Sequence, residues 1–248
     1  MGIILFFVFS LVWFLPVWFR QRKTGLIKPA TILIAIAMGV IPATIGLVSL
    51  QSLLSIVYKF FGIQEGTLLH NILQAFLSYA VVEEFVKFVC GRLVLGRQIK
   101  FKKIDCILLF GAVGLGYEII ETLMFSAGNS IDIYIRGIFI AHVMYQFIMA
   151  SHYFEYRAAK QEGNTHKAKV QLFLAFFVPI LLHGTNDLLT TFFILEETEK
   201  AQMTNGVINV MLIALNAAGL IAGMIRAYKS FKDERVISKA TSACPQQQ

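Results

Sequence analysis

Runs of roughly twenty apolar residues, separated by short clusters of Lys and Arg, constrain this chain more than any other feature. A helix advances about 1.5 Å per residue, so about 20 apolar residues are needed to cross a hydrocarbon core of ~30 Å. Seven stretches meet or approach that length: residues 2–19, 29–57, 68–95, 104–125, 133–154, 170–195 and 206–225. Of 248 residues, 57% are hydrophobic and only 15% charged, whereas a soluble domain carries about 25% charged residues. Strand-like alternation is absent, which argues against a barrel. The expected fold is all-α, a polytopic membrane helix bundle of about seven transmembrane helices. Residues 1–231 are expected to form one bundle, and the polar residues 232–248 a mobile cytoplasmic tail.

Charge placement orients the bundle. Threading the spans alternately puts Arg20, Arg22, Lys23 and Lys28 on one side of the membrane. Arg92, Arg97, Lys100, Lys102 and Lys103 share that side, as do Arg157, Lys160, Lys167, Lys169, Arg226, Lys229, Lys232, Arg235 and Lys239. The other side keeps Lys59, Arg136 and Lys200, with the acidic run Glu196-Glu197-Thr198-Glu199. By the positive-inside rule the N-terminus is outside and the C-terminus cytoplasmic. The first span has no basic residue ahead of it and no small-x-small cleavage site, so it reads as a retained anchor. The net charge of +7 belongs to this asymmetry, and no nucleic-acid surface is implied. Cys90, Cys106 and Cys244 have no regular spacing, hence no disulfide framework or zinc knuckle.

The third apolar stretch contains Val81-Val82-Glu83-Glu84-Phe85-Val86-Lys87-Phe88. An ionised side chain near mid-bilayer costs roughly 2.5–3.5 kcal/mol, so such groups persist only with partners or water. The blander alternative is a shorter helix whose acids touch headgroups. Further ionisable residues fall inside other spans: Glu118 and Glu121, His142, and His183 with Asp187. Counted at about 1.5 Å per residue from the cytoplasmic ends, Glu83, Glu118 and His183 each lie about 20 Å deep. His142 lies about 15 Å below the outer end of its span. Four spans therefore bring polar groups to one level.

Helical spacing refines this picture. Glu83 and Lys87 are i and i+4, as are His183 and Asp187, with Asn186 nearby on the same face. Gly111, Gly114 and Gly116 form a small-residue stripe that permits close helix approach. A single membrane histidine is more often a hydrogen-bond partner between helices than a catalytic group. Two histidines and several carboxylates at one depth suggest water activation. Peptide hydrolysis needs a base for water, an oxyanion stabiliser and an acid for the leaving amine. A buried glutamate suits the first role. Two routes stay open: glutamate and histidine alone, or a zinc ion held by His142, His183 and a carboxylate with one position left for water. No HExxH motif is present.

Glu83-Glu84-Phe85-Val86-Lys87-Phe88, then Phe110-Gly111-Ala112-Val113-Gly114-Leu115-Gly116-Tyr117 running on to Glu121, then His142, then Leu182-His183-Gly184 with Asp187, resembles the PrsW family of intramembrane proteases. That family is grouped with the CAAX-protease and bacteriocin-processing (CPBP/Abi) superfamily. The resemblance covers about residues 76–189, within a protease core of about 68–195. It implies a multi-pass enzyme of a bacterial plasma membrane that cuts a membrane-anchored protein, an anti-sigma factor in a stress response being the known type of substrate. It also implies catalytic roles for Glu83, Glu84, His142, His183 and Asp187, with Lys87, Glu121 and Asn186 in support. Glu121 would join His142 and His183 if a metal is bound. Thr122 stands where the family often has Asn after its second-motif glutamate, and Ala150 where glycine is common. Two other classes fit such a polar cluster: a non-catalytic scaffold or immunity protein on the same fold, and a proton-coupled transporter. Missing inverted repeats count against the transporter.

Overall fold

A computed structural model describes residues 2–125, 139–192 and 199–238, and nearly all of them are helical. Arg136 and Glu196-Glu197-Thr198, assigned above to outer loops, lie outside the described residues. In chain order the helices are α1 (Gly2–Thr24), α2 (Pro29–Phe60), α3 (Leu68–Leu73), α4 (Val82–Gly96), α5 (Lys103–Phe125), α6 (Ala141–Gln161), α7 (Thr165–Asp187) and α8 (Glu199–Ser230). A π-helical stretch, Gln74–Val81, joins α3 to α4 without a break, and a second, Leu188–Phe192, extends α7. Strands β1 (Lys100–Lys102) and β2 (Val236–Ser238) pair antiparallel, with Phe101 opposite Ile237.

Local chemistry sets the helix ends. Pro29 opens α2, where its missing N–H costs nothing. Thr67 and Asn164 cap α3 and α7 by accepting from the amides of His70 and Lys167. Gly163, at φ 74°, makes the left-handed turn out of α6. Asp105 ties one end of the bundle together. Its carboxylate accepts from the amides of Leu26, Ile27 and Lys102 and from the Gln21 side chain at 2.9 Å.

Among the described residues, three helical segments are long and apolar enough to cross a membrane: Lys103–Met124, Thr165–Thr190 and Val207–Ser230. Pro29–Val40 and Val48–Phe60 are shorter apolar stretches. The sequence-derived spans around Glu83 and His142 do not stand out in this way, for a physical reason. Helix α6 is buried along almost its whole length, so it need not be apolar to avoid contact with lipid. Exposed Leu33, Ile45, Leu53, Phe173, Leu181, Val210 and Ile221 put the apolar surface on α2, α7 and α8 instead.

Glycines let the inner helices approach. A Cβ on Gly116 would lie 2.1 Å from the Ile36 carbonyl oxygen, and one on Gly39 would lie 2.1 Å from that of Val113, so α2 and α5 touch backbone to backbone. Gly111 and Gly114 face Phe147 and the His142 carbonyl of α6. The predicted stripe on α5 is thus a packing surface used on both sides. Gly223 sits against Met144 within the same chain, which gives the Gly219–Gly223 pair an intramolecular role.

One expectation needs correction. Residues from Lys232 were read as a mobile tail, but residues 236–238 form β2, Ile237 is buried, and Gln161 donates to the Ser238 carbonyl at 2.7 Å. Three residues of strand are too few to leave a readable alternation in the sequence.

Candidate active site

Four helices deliver the polar centre. Helix α4 begins at Val82, and its first turn carries Glu83 and Glu84, both buried. The π-helical residues before it shift the register of the following turn, a distortion found most often at functional sites. Helix α5 contributes Tyr117, Glu118 and Glu121. Helix α6 contributes His142 and Gln146, and α7 contributes His183 and Asp187. Ile140, two residues ahead of His142, has φ 34° and is fully buried. A β-branched residue in that region is strained by about 1–2 kcal/mol, so packing holds the entry to α6 in place.

Lys87 is the hub. Its Nζ lies 3.3 Å from Glu83 Oε2, 3.0 Å from Glu84 Oε1 and 2.7 Å from His142 Nδ1. It also stands 3.9 Å from the centre of the Tyr117 ring, a cation–π contact strengthened by desolvation. Sequence spacing anticipated one Glu83–Lys87 pair. The side chain in fact serves both acids and a histidine on another helix.

Each histidine is held at both nitrogens. His142 Nε2 meets Glu121 Oε2 at 2.5 Å, and the His142 amide donates to Glu118 Oε2 at 3.0 Å. His183 Nδ1 lies 3.0 Å from Glu84 Oε1, while its Nε2 lies 3.2 Å from Asp187 Oδ2 and 3.6 Å from Glu83 Oε2. The two imidazole centres are 5.0 Å apart. Tyr145 stacks on His183 at 5.6 Å. Gln146 donates to Glu84 Oε2 at 2.7 Å, which leaves Glu84 fully engaged on both oxygens.

The structure thus brings together Glu83, Glu84, Lys87, Glu121, His142, His183 and Asp187, as the sequence reading anticipated. Glu118 accepts from the His142 amide at the start of α6. Asn186 points elsewhere: its Oδ1 accepts from Asn216 of α8 at 2.8 Å. Gln146, Tyr117 and Tyr145 were missed. Gln146 and Tyr145 are one helical turn beyond His142, and that spacing was the available signal.

Glu83, His142 and His183 each bring one donor atom within 4.8 Å of the other two, and all three are buried. Two imidazoles and a carboxylate are a donor set of catalytic zinc sites. Glu121, named above as a ligand if a metal is bound, meets His142 Nε2 beside this set.

Fold and site together define a helical membrane protein with a charged centre enclosed by its own helices. The model of the family described as "PrsW family intramembrane metalloprotease" matches residues 28–217, and the chain belongs to that family. It is 30% identical over 116 residues to Protease PrsW of Oceanobacillus iheyensis, covering 45% of this chain and 52% of that protein. With Protease PrsW of Clostridioides difficile it shares 32% identity over 121 residues, 46% of this chain and 50% of the other. For the Geobacillus kaustophilus protein of the same name the figures are 28% over 127 residues, 50% and 54%. The chain spans about half the length of the curated relatives it matches. No solved structure matches it.

Proposed function

We propose that this chain is an intramembrane endopeptidase that hydrolyses a membrane-anchored protein at the Glu83–His142–His183 centre. One observation carries the reading: a carboxylate and two imidazoles from α4, α6 and α7 converge within 4.8 Å in a buried site. Glu83 takes the proton of the attacking water. Glu84, fixed by Lys87, His183 and Gln146, holds the second imidazole in place. His183, backed by Asp187, stands ready to polarise the scissile carbonyl or to protonate the leaving amine. Glu121 orients His142.

The residues fit the metal that the family description implies. Glu83, His142 and His183 would hold it, and a divalent ion such as zinc would supply Lewis acidity and a bound water of lowered pKa. Lys87 Nζ, against Glu83, Glu84 and His142 Nδ1, neutralises the acids and would have to leave Nδ1 for an ion to bind there.

The resemblance extends the proposal to an anti-sigma factor as substrate and to a bacterial plasma membrane. The basic clusters support an N-terminus outside and a cytoplasmic C-terminus, with residues 1–231 acting as one bundle around a protease core of about residues 68–195. Placement in the CPBP/Abi superfamily rests on the ordered motif set alone. The test is cleavage of candidate single-span anti-sigma factors by purified protein in liposomes, with metal analysis of the same sample and a chelator arm. Site-specific cleavage that is lost in Glu83→Gln is expected. Cleavage that persists in that variant would overturn the assignment.

A further inference from the structure

The catalytic groups are enclosed: Glu83 and His142 are 6% and 4% exposed, and Glu84 and Lys87 are fully buried. A substrate needs a way in. A cavity of about 410 Å³ lies between the outer half of α2 and the α3–π segment. One wall is a polar face of α2 with Gln51, Ser52 and Ser55, and the other presents Gln74, Ser78 and Tyr79. Its size falls in the range of ligand pockets, about 300–1,000 Å³, and far exceeds the ~30 Å³ share of one water.

The lining is unusual for a helix pair beside lipid. Hydroxyls and amides dominate it, and several are already cross-linked. Tyr58 Oη contacts Ser78 Oγ at 2.8 Å and donates to the Leu73 carbonyl at 3.1 Å, while Gln74 Nε2 donates to Tyr79 Oη at 2.9 Å. The His70 Nδ1 at its rim is buried without a partner among the described residues. The floor of the cavity is the π-helical stretch, which ends one residue before α4 and two before Glu83. Tyr79, in the cavity wall, stands about one helical turn before Glu83. The cavity therefore extends from the α2–α3 loop along the segment that leads into the catalytic helix.

The geometry points to a substrate subsite: the α2/π cavity receives the extended, polar segment of the anchored substrate that flanks the scissile bond on the side of the α2–α3 loop. The argument is one of hydrogen bonds. A transmembrane helix must unwind to be cut, and each freed N–H and C=O then needs a partner that lipid does not supply. Serine, glutamine and tyrosine side chains along both walls supply those partners, and polar substrate side chains gain where apolar ones lose. This inference rests on the proteolytic reading above and deepens it.

The probes are single-span peptides that share one leucine-rich helix. They differ only in the six residues flanking it on the loop side, either Ser/Asn/Gln-rich or Leu/Val-rich. Wild-type protein in liposomes is expected to cleave the polar-flanked peptide with the lower KM. Ser55→Trp, which fills the cavity, should raise KM for the polar-flanked peptide at least about fivefold more than for the apolar-flanked one. In parallel, benzoylphenylalanine at position 55 of a Glu83→Gln protein should cross-link to the flank of the polar peptide, and at exposed position 49, outside the cavity lining, it should not. A cross-link at 55 with no cleavage by wild type keeps the subsite and removes the proteolytic reading. Equal cross-linking at 49 and 55, or equal KM changes for both peptides in Ser55→Trp, overturns the subsite.

Discussion

Lys87 Nζ lies 2.7 Å from His142 Nδ1, linking the acid pair of α4 to the histidine of α6. An ammonium offers only donors, so Nδ1 must accept and the ring proton of neutral His142 sits on Nε2, facing Glu121. One contact therefore fixes the tautomer and the orientation of a proposed catalytic histidine. Removing the ammonium leaves Glu83 and Glu84 without their shared buried cation. Breaking a buried ion pair in this way costs about 3–5 kcal/mol. Lys87→Met is expected to lower the unfolding midpoint in detergent and to abolish cleavage. Lys87→Met combined with Glu84→Gln should recover part of the midpoint, because one uncompensated charge has gone. A single variant as stable as wild type would show that the hub is not what holds the acids.

Glu83 and Glu84 are neighbours in sequence with different surroundings. Both Glu84 oxygens are engaged by protein, through Lys87, His183 and Gln146. Glu83 meets Lys87 and His183 through Oε2, and the Tyr117 side chain hydrogen-bonds to it as well. Glu83 is 6% exposed where Glu84 is fully buried, so Glu83 is the better placed to meet water. Glu83→Gln should reduce kcat by about 10²–10⁴-fold, the usual range for losing a general base, with little change in the unfolding midpoint. Glu84→Gln should reduce stability as well as kcat. Single-turnover cleavage assays beside thermal unfolding separate the two, and the reverse pattern would swap their roles.

The contact of α2 with α5 makes a purely steric prediction. A methyl group on Gly116 would meet a backbone carbonyl oxygen at 2.1 Å, and a carbonyl in a helix cannot swing aside. Gly116→Ala is expected to destabilise the bundle by about 1–3 kcal/mol, the range for overpacking. Gly96→Ala is the control, since nothing lies within 4 Å of its added carbon. Equal unfolding midpoints for the two variants would show that α2 does not press on α5.

The convergence of acids and imidazoles was legible in the sequence because charge in apolar spans is rare and helical rise converts position into depth. The His183–Asp187 pair followed from its i,i+4 spacing, and the glycine stripe from its composition. Other features had no such signal. Lys87 could be paired along its own helix, but its reach to His142 depends on how α4 packs against α6. The π-helical stretch has no compositional mark. Asn186 shares a helix face with His183 in projection, yet one further turn of angle sends it to Asn216. Hydropathy counts expect every span to meet lipid, and α6 is shielded by its neighbours.

The start of α5 and the last turns of α6 are locked to β2 by an ion cluster, and this lock should respond to acid. Arg235 donates to both Glu155 oxygens, at 2.6 and 3.0 Å, and to Asp233 at 2.7 Å, while Lys103 Nζ lies 2.6 Å from Glu155. Burial alone would push the Glu155 carboxyl up, but hydrogen bonds from Arg235 and Lys103 hold it below its ordinary value. Asp233 is likewise held down against burial by the Arg235 side chain and amide. Carboxyls depressed in the folded state add stability that is complete above their unfolded values, near pH 4, and is lost as pH falls through the folded ones. Arg235 is 44% exposed, so solvent screens part of this effect. Amide exchange at Phe101 and Ile237, corrected for its intrinsic pH dependence, should therefore stay slow from pH 7 to about 5 and quicken below about 4. Arg235→Gln should quicken it already at pH 7, because the acids lose their shared donor. Exchange that is unchanged by both acid and substitution would mean that strand pairing and the burial of Ile237 hold the tail without help from charge.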